Sequence, residues 1–301
     1  MVGMRCIAVA AMVAYFAQPL SSGENFTSRT LSLGTSLFAQ STAQTLIRDF
    51  GPCATRLEAN PGHCGKREDL SFLLLDAHTG ALLASRWPDA EKPIPLGSLV
   101  KPFTALAYGQ RHGYEYPAHF CHGTATGCWL PRGHGWEGLE LAIAHSCNSY
   151  FRMLTSNLTA EDMLAVASSY GLDPPPLDAS ATDLRGIGSG WLISPLHMAS
   201  AYVELIHHAD EPGVREVLVG MAESARQGTG AEVDHALKHT HALAKTGTAP
   251  CTHLPTALGD GFVIAMMPAD RPQILLMVRS HQAPGADAAK IAGQMLRRIE
   301  Q

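Results

Sequence analysis

Ser98 and Lys101 stand three positions apart and together could carry out nucleophilic catalysis. A free serine hydroxyl is a poor nucleophile and needs a base within hydrogen-bond reach. On a helix, residues three apart share a face, so the amine of Lys101 can lie beside the hydroxyl of Ser98. Lysine is ordinarily protonated at neutral pH, but the apolar neighbours Leu99, Val100 and Phe103 can desolvate this amine and favour its neutral form. The pair therefore predicts acyl transfer through a serine ester, with Lys101 as the base.

Ser146 and Asn148 are candidates for a proton relay in the same reaction. The Ser146 hydroxyl can pass a proton to a leaving amine, and the Asn148 amide can hold Lys101 and a substrate carbonyl. Serine and asparagine also favour helix caps, so a cap is the alternative interpretation of this pair.

Residues 245–248, Lys-Thr-Gly-Thr, predict a substrate-binding strand. On a strand, Lys245 and Gly247 point to one face while Thr246 points to the other. Lys245 can then face a cleft, with Thr248 near it to receive a substrate carboxylate, and Gly247 lets the peptide backbone come close. The backbone N–H groups of Ser98 and Thr248 would stabilise the oxyanion that acyl transfer generates.

Hydrophobic periodicity predicts the elements that must bring these groups together. Leu99, Phe103 and Leu106 recur at helical spacing, which predicts a helix with Ser98 in its first turn. Early and late strands, with helices between them, are explained by one sheet assembled from both ends of the chain. The predicted strands are 70–76, 81–86, 241–248, 261–267 and 274–280; the further helices are 42–50, 137–154 with an interruption at 146–148, 159–171, 195–208 and 286–299.

Composition and charge narrow the class of protein. Apolar residues make up 46% of the chain and charged residues 16%, a balance that favours a folded core over disorder. The net charge of -5 shows no basic excess, so we expect no nucleic-acid partner. Residues 1–22 predict an export signal or a marginal membrane anchor, with a buried helix as the alternative. Residues 23–65 predict a linker or loosely packed arm, and residues 66–301 the catalytic domain.

The cysteines predict disulfides. Removal of Cys6 with the leader leaves an even number of cysteines in an exported chain. We pair Cys53 with Cys64 and Cys121 with Cys128, because glycine and proline nearby let the chain ends meet. His122 and His134 raise zinc as an alternative, but the spacing Cys-His-x5-Cys-x5-His matches no tight structural-zinc pattern. We therefore predict no metal and no other cofactor.

Several segments resemble the high-molecular-weight penicillin-binding transpeptidases. Residues 96–104 resemble the nucleophile segment of that family, and residues 120–135 and 141–151 are similar to the stretch before and through its second motif. Residues 188–202 resemble the helix that follows, and residues 217–249 the approach to the third motif. Because these pieces occur in order over most of the chain, the resemblance is far more specific than any one motif.

The resemblance implies an α/β (α+β) fold with a mainly antiparallel five-stranded sheet and an inserted helical subdomain. It implies a D,D-transpeptidase that works at the periplasm or the outer face of the cytoplasmic membrane. Its partners would be peptidoglycan stem peptides ending in D-Ala-D-Ala, β-lactams and other cell-wall synthesis proteins. A serine β-lactamase, a D,D-carboxypeptidase and a module that binds β-lactam or peptide without turnover are the alternatives. No Glu-x-x-Leu-Asn segment, which class A β-lactamases use for deacylation, occurs in the chain.

Overall fold

Strands that are apolar on both faces are stable only when both faces of their sheet are covered. The computed structural model describes residues 37–50, 70–251 and 259–300, and five strands form its main sheet. Four of them are largely buried, and the edge strand 82–85 is partly exposed. The five strands are β1 (Leu70–Asp76), β2 (Leu82–Ser85), β5 (Leu243–Ala249), β6 (Asp260–Met267) and β7 (Ile274–Ser280). A separate hairpin supplies β3 (His119–Cys121) and β4 (Gly135–Glu137).

The main sheet is built from strands near the beginning and the end of the described chain. Its strand order is β2-β1-β7-β6-β5, and every neighbouring pair is antiparallel. Strand β1 pairs with β7 along its whole length, from Leu70 opposite Ser280 to Asp76 opposite Ile274. The predicted fold class is confirmed, including a mainly antiparallel sheet that is built from both ends of the sequence.

Alternate side chains of the sheet enter two different cores. On β1, Phe72 and Leu74 pack in a core with residues of the first and last described helices. Leu73 and Leu75 pack in the other core, with the helices inserted between β2 and β5. Each face of the sheet is thus covered, as the apolar strands require.

The helices form the layers on either side. They are α1 (Leu37–Phe50), α2 (Lys101–Arg111), α3 (Leu139–Ala144), α4 (Asn148–Thr155), α5 (Ala160–Tyr170), α6 (Ala181–Leu184), α7 (Pro195–His207), α8 (Val214–Gln227), α9 (Ala231–Ala236) and α10 (Gly285–Arg297). The interruption predicted at 146–148 separates α3 from α4. The sequence did not predict α6, α8, α9 or the β3–β4 hairpin.

Part of the predicted N-terminal organisation lies outside the described residues. This applies to the export signal over residues 1–22 and to the Cys53–Cys64 pair. Helix α1 contains the helix that we predict at 42–50, and its Leu46 is fully buried. Among the described helices, none combines the length and the apolar character needed to cross a membrane.

Candidate active site

Ser98 lies in a short 3-10 turn, Gly97–Val100, that leads directly into α2. Leu99 and Val100 are buried in the core, whereas Ser98 is half-buried. Tyr202 donates its hydroxyl hydrogen to the backbone carbonyl of Leu99 at 2.8 Å. The turn is thereby fixed to the core on its apolar side, and Ser98 lines a cleft on the other side.

Lys101 is fully buried and contacts both polar residues of the second motif. Its Nζ lies 2.8 Å from the backbone carbonyl oxygen of Ser146, 3.3 Å from Ser146 Oγ and 2.6 Å from Asn148 Oδ1. Burial lowers the pKa of Lys101 to about 7. Near neutral pH, a substantial fraction of this amine is therefore unprotonated and able to accept a proton.

The turn between α3 and α4 holds the second motif in a strained conformation. Ser146 has φ 50°, in the left-handed region that residues with a Cβ seldom adopt. Such a conformation costs about 1–3 kcal/mol and persists only where the surroundings enforce it. Cys147 occupies the N-cap position of α4 and makes no side-chain capping bond. The cap interpretation of Ser146 and Asn148 is therefore not what the structure shows.

Lys245, on β5, contacts the same serine. Its Nζ donates to Ser146 Oγ at 3.0 Å and to the Thr246 carbonyl oxygen at 2.8 Å. Burial, and then the charge of Lys101, lower the pKa of Lys245 well below its ordinary value. Ser146 Oγ thus accepts hydrogen bonds from two lysines, which leaves its own hydrogen free to be donated elsewhere.

Two glycines let the Ser98 turn and β5 meet backbone to backbone. A Cβ on Gly97, which has φ 60°, would lie 2.3 Å from the Thr248 carbonyl oxygen. A Cβ on Gly247 would lie 2.6 Å from the Leu96 carbonyl oxygen. Gly247 therefore makes room for the protein's own backbone, and the expectation that it also lets the substrate come close stays a prediction. The contact sets the relative position of the backbone N–H groups of Ser98 and Thr248.

The cleft beside Ser98 has a volume of about 430 Å³. The predicted residues Ser146, Asn148, Thr246, Gly247 and Thr248 all contribute to its lining. Lys101 and Lys245 lie beneath this surface, fully buried. The structure therefore brings all eight predicted site residues to one place.

Several cleft residues were missed by the sequence analysis. Thr229 lines the cleft and accepts a hydrogen bond from Thr246 Oγ1 at 2.6 Å. Trp129 and Glu232 also line it, and both are exposed. The Gly-Thr-Gly triplet at 228–230 was a usable signal for Thr229, since such a triplet breaks a helix. Nothing local marks Trp129 or Glu232.

The predicted Cys121–Cys128 disulfide is not formed. Both cysteines are unbonded and buried. Cys128 Sγ instead lies 3.9 Å from Cys147 Sγ and 3.5 Å from His134 Nδ1. The three sulfur atoms and one ring nitrogen of His134 all lie within 4.8 Å of one another. The pairing prediction overlooked Cys147, which the fold brings in from the second motif.

Comparisons with known proteins agree with this geometry. The family model described as "Penicillin binding protein transpeptidase domain" matches residues 70–301. No curated protein sequence matches the chain significantly.

Solved structures share the fold at low sequence identity. PBP2 of Pseudomonas aeruginosa, in complex with WCK 5153, is 19% identical with a TM-score of 0.62, over 77% of this chain and 72% of that one. The transpeptidase domain of Burkholderia pseudomallei penicillin-binding protein 3 is 16% identical with a TM-score of 0.63, over 87% and 91%. PBP2 of Helicobacter pylori, in complex with MreC, is 16% identical with a TM-score of 0.64, over 76% and 59%.

Proposed function

Because the chain belongs to the penicillin-binding protein transpeptidase domain family, we propose that it is a serine D,D-transpeptidase of peptidoglycan. Its substrates would be stem peptides that end in D-Ala-D-Ala, and β-lactams would acylate the same serine. One observation carries the proposal. Ser146 Oγ lies between Lys101 Nζ and Lys245 Nζ, beside a cleft that Ser98 lines.

Acylation begins when the neutral amine of Lys101 takes the proton of Ser98 Oγ. The oxygen attacks the carbonyl carbon of the penultimate D-Ala, and the backbone N–H groups of Ser98 and Thr248 stabilise the oxyanion that forms. The C–N bond then breaks, and the leaving amine of the terminal D-Ala receives a proton through Ser146. Lys101 contacts Ser146 and holds the proton taken from Ser98, so it can replace the proton that Ser146 gives up. An ester on Ser98 and free D-Ala result.

The second half of the reaction transfers the acyl group. The amine of a neighbouring stem attacks the ester, the Ser98–acyl bond breaks, and the proton returns to Ser98 from the attacking amine through the same relay. A β-lactam forms the same ester, but its leaving nitrogen stays attached to the acyl group and blocks the acceptor's approach.

Hydroxyl groups rather than an exposed cation receive the substrate carboxylate in this proposal. Thr229, Thr246 and Thr248 line the same part of the cleft. Thr248 Oγ1 also accepts a hydrogen bond from the Gly285 backbone N–H at 3.0 Å, which fixes its rotamer. Lys245 lies buried below them and does not reach the surface.

Slow hydrolysis distinguishes a transpeptidase from a β-lactamase or a carboxypeptidase. Hydrolysis needs a base that activates water at the ester, and Glu232 is the one carboxylate among the described lining residues. Glu232 is exposed at the start of α9, and the structure gives it no contact with the second motif. A solvated carboxylate of this kind is a weak candidate base, which favours transfer over hydrolysis.

We place the reaction outside the cytoplasmic membrane, where the predicted export signal would deliver the domain. Other proteins of wall synthesis are proposed partners, since a similar protein, Helicobacter pylori PBP2, forms a complex with MreC. The chain spans 59% of that PBP2 chain. The proposed partners concern where the domain works and not the reaction that it catalyses.

Intact-mass analysis after incubation with penicillin tests the function. Wild-type protein gains the mass of one penicillin, and Ser98→Ala gains none. Ser169→Ala, an exposed serine on α5, is the matched control and labels like wild type. An adduct that persists on Ser98→Ala would exclude Ser98 as the nucleophile.

A further inference from the structure

Four side chains beside the second motif form a compact group that the proposed reaction does not use. They are Cys121, Cys128, His134 and Cys147, and we call them the sulfur cluster. Their candidate ligand atoms lie within 4.8 Å of one another. The three cysteines are buried, and the His134 side chain is only 5% exposed.

The distances fit a tetrahedral metal site better than a disulfide. A disulfide needs its two sulfur atoms about 2.05 Å apart. Ligands at ~2.3 Å for sulfur and ~2.05 Å for nitrogen, placed tetrahedrally around Zn²⁺, lie about 3.8 Å apart for two sulfurs and about 3.6 Å for sulfur and nitrogen. The structure has 3.9 Å between Cys128 Sγ and Cys147 Sγ, and 3.5 Å between Cys128 Sγ and His134 Nδ1.

The sulfur cluster is withdrawn from water, because all three cysteines are buried and His134 is nearly so. Thiolates in a buried position must be paired with a cation, and an imidazole nitrogen beside them can bind the same cation.

The loop between β3 and β4 is shaped to present its ligands. A Cβ on Gly123, which has φ 68°, would lie 2.0 Å from the Pro131 carbonyl oxygen, and one on Gly133 would lie 2.1 Å from the Cys121 carbonyl oxygen. The Cys128 N–H donates to the Gly123 carbonyl at 3.0 Å. Glycine at these two positions lets the loop fold back on itself, so that three of the ligands converge through backbone geometry.

We propose that Cys121, Cys128, His134 and Cys147 bind one Zn²⁺ ion in a closed structural site. The donor set of three thiolates and one imidazole is typical of structural zinc and leaves no open position for a substrate. The prediction of no metal, made from the spacing of Cys121, Cys128 and His134, lacked the fourth ligand.

The zinc site would affect the proposed reaction by holding the residues of the second motif in position. Cys147 is the middle residue of the turn that carries Ser146 and Asn148, and Ser146 is held there at a strained φ of 50°. A metal bond to Cys147 Sγ would anchor that turn. Its loss would let Ser146 and Asn148 move, and a misplacement of about 1 Å costs on the order of 100-fold in rate.

Elemental analysis tests the site without relying on the proposed function. Protein purified with reductant is expected to hold one zinc per chain. Cys128→Ser and His134→Asn are expected to lose it. His122→Asn, an exposed histidine beside Cys121, is the matched control and keeps it. Metal-free wild-type protein that takes up no zinc on titration, or a Cys121–Cys128 disulfide found by peptide mapping, would overturn the proposal.

Two further measurements cover variants that fail to fold. Cobalt added to metal-free wild-type protein should give the visible absorption of a tetrahedral cobalt–thiolate site, and its absence would contradict the ligand set.

The positioning role rests on the proposed function. Penicillin acylation of wild type should slow on the order of 100-fold after chelation and recover when zinc is returned. Unchanged acylation by protein shown to be metal-free would overturn the positioning role but not the site.

Discussion

Two buried groups of side chains adjoin the turn at 146–148, namely a pair of lysines and the sulfur cluster. Lys101 and Lys245 donate to Ser146, and burial lowers the pKa of both amines. In the sulfur cluster, Cys147 Sγ lies 3.9 Å from Cys128 Sγ, which lies 3.5 Å from His134 Nδ1. The lysine pair can exchange protons and borders an open cleft, whereas the sulfur cluster is closed. The lysines therefore take part in the proposed reaction, whereas the sulfur cluster holds the same turn in place.

Removing the base should have the largest effect. Lys101→Met keeps most of the buried side-chain volume but cannot accept a proton. We expect acylation by penicillin to slow by ~100-fold to 10,000-fold, the usual contribution of general-base catalysis. Stopped-flow or timed mass analysis measures it.

Lys290→Met, an exposed lysine on α10, is the matched control and should acylate at the wild-type rate. A Lys101→Met protein that folds and acylates normally would remove Lys101 from the mechanism and break the contrast between the lysine pair and the sulfur cluster.

Separating the Ser98 turn from β5 should have the next largest effect. Gly97→Ala would place a Cβ 2.3 Å from the Thr248 carbonyl oxygen and push the two oxyanion donors apart. Loss of one such donor slows catalysis by ~100-fold to 1,000-fold. The rate of acylation and the thermal midpoint are measured together.

Gly80→Ala controls for backbone strain. Gly80 has φ 71° in the β1–β2 turn, but a Cβ there meets nothing within 4 Å. It should lower stability as Gly97→Ala does through strain, while acylation stays normal. Equal loss of acylation in both variants would show that general destabilisation, rather than donor geometry, is responsible.

The smallest predicted effect is a change of the acylation rate with pH, which arises from Lys101 and not from the sulfur cluster. Lys101 is active as a base when neutral, and its pKa of about 7 places the change near neutrality. Acylation should therefore rise about 10-fold between pH 6 and pH 8, as the protonated fraction falls. The observed rate constant for penicillin acylation is followed across that range. A flat profile, or a rate that falls as pH rises, would contradict a neutral Lys101 base.

Regular spacing made much of this molecule predictable. The strands near 70–76 and 274–280 were found because their apolar pattern reflects burial, and the Ser98 and Lys101 pair because one helical turn fixes their relation. The β3–β4 hairpin was missed because its strands are three residues each and are joined by a glycine-shaped loop. Short strands of this kind carry no measurable period.

Contacts between residues far apart in the sequence were not predictable in the same way. The sequence paired Cys121 with Cys128 because they are neighbours, but the third sulfur arrives from Cys147, beyond a hairpin and a helix. The contact of Gly247 with the backbone of Leu96 was not predicted either, because the two residues lie far apart in sequence. Both contacts form only after distant parts of the chain have folded together.

The fate of the penicilloyl ester on Ser98 tests the central claim most directly. Labelled protein is freed of unbound penicillin, and the adduct mass is followed while turnover of a chromogenic cephalosporin is measured in parallel. A transpeptidase with no well-placed base for water keeps the adduct for many minutes and shows no sustained turnover. Rapid loss of the adduct, with sustained turnover at ~1 per second or faster, would contradict the account and identify a β-lactamase.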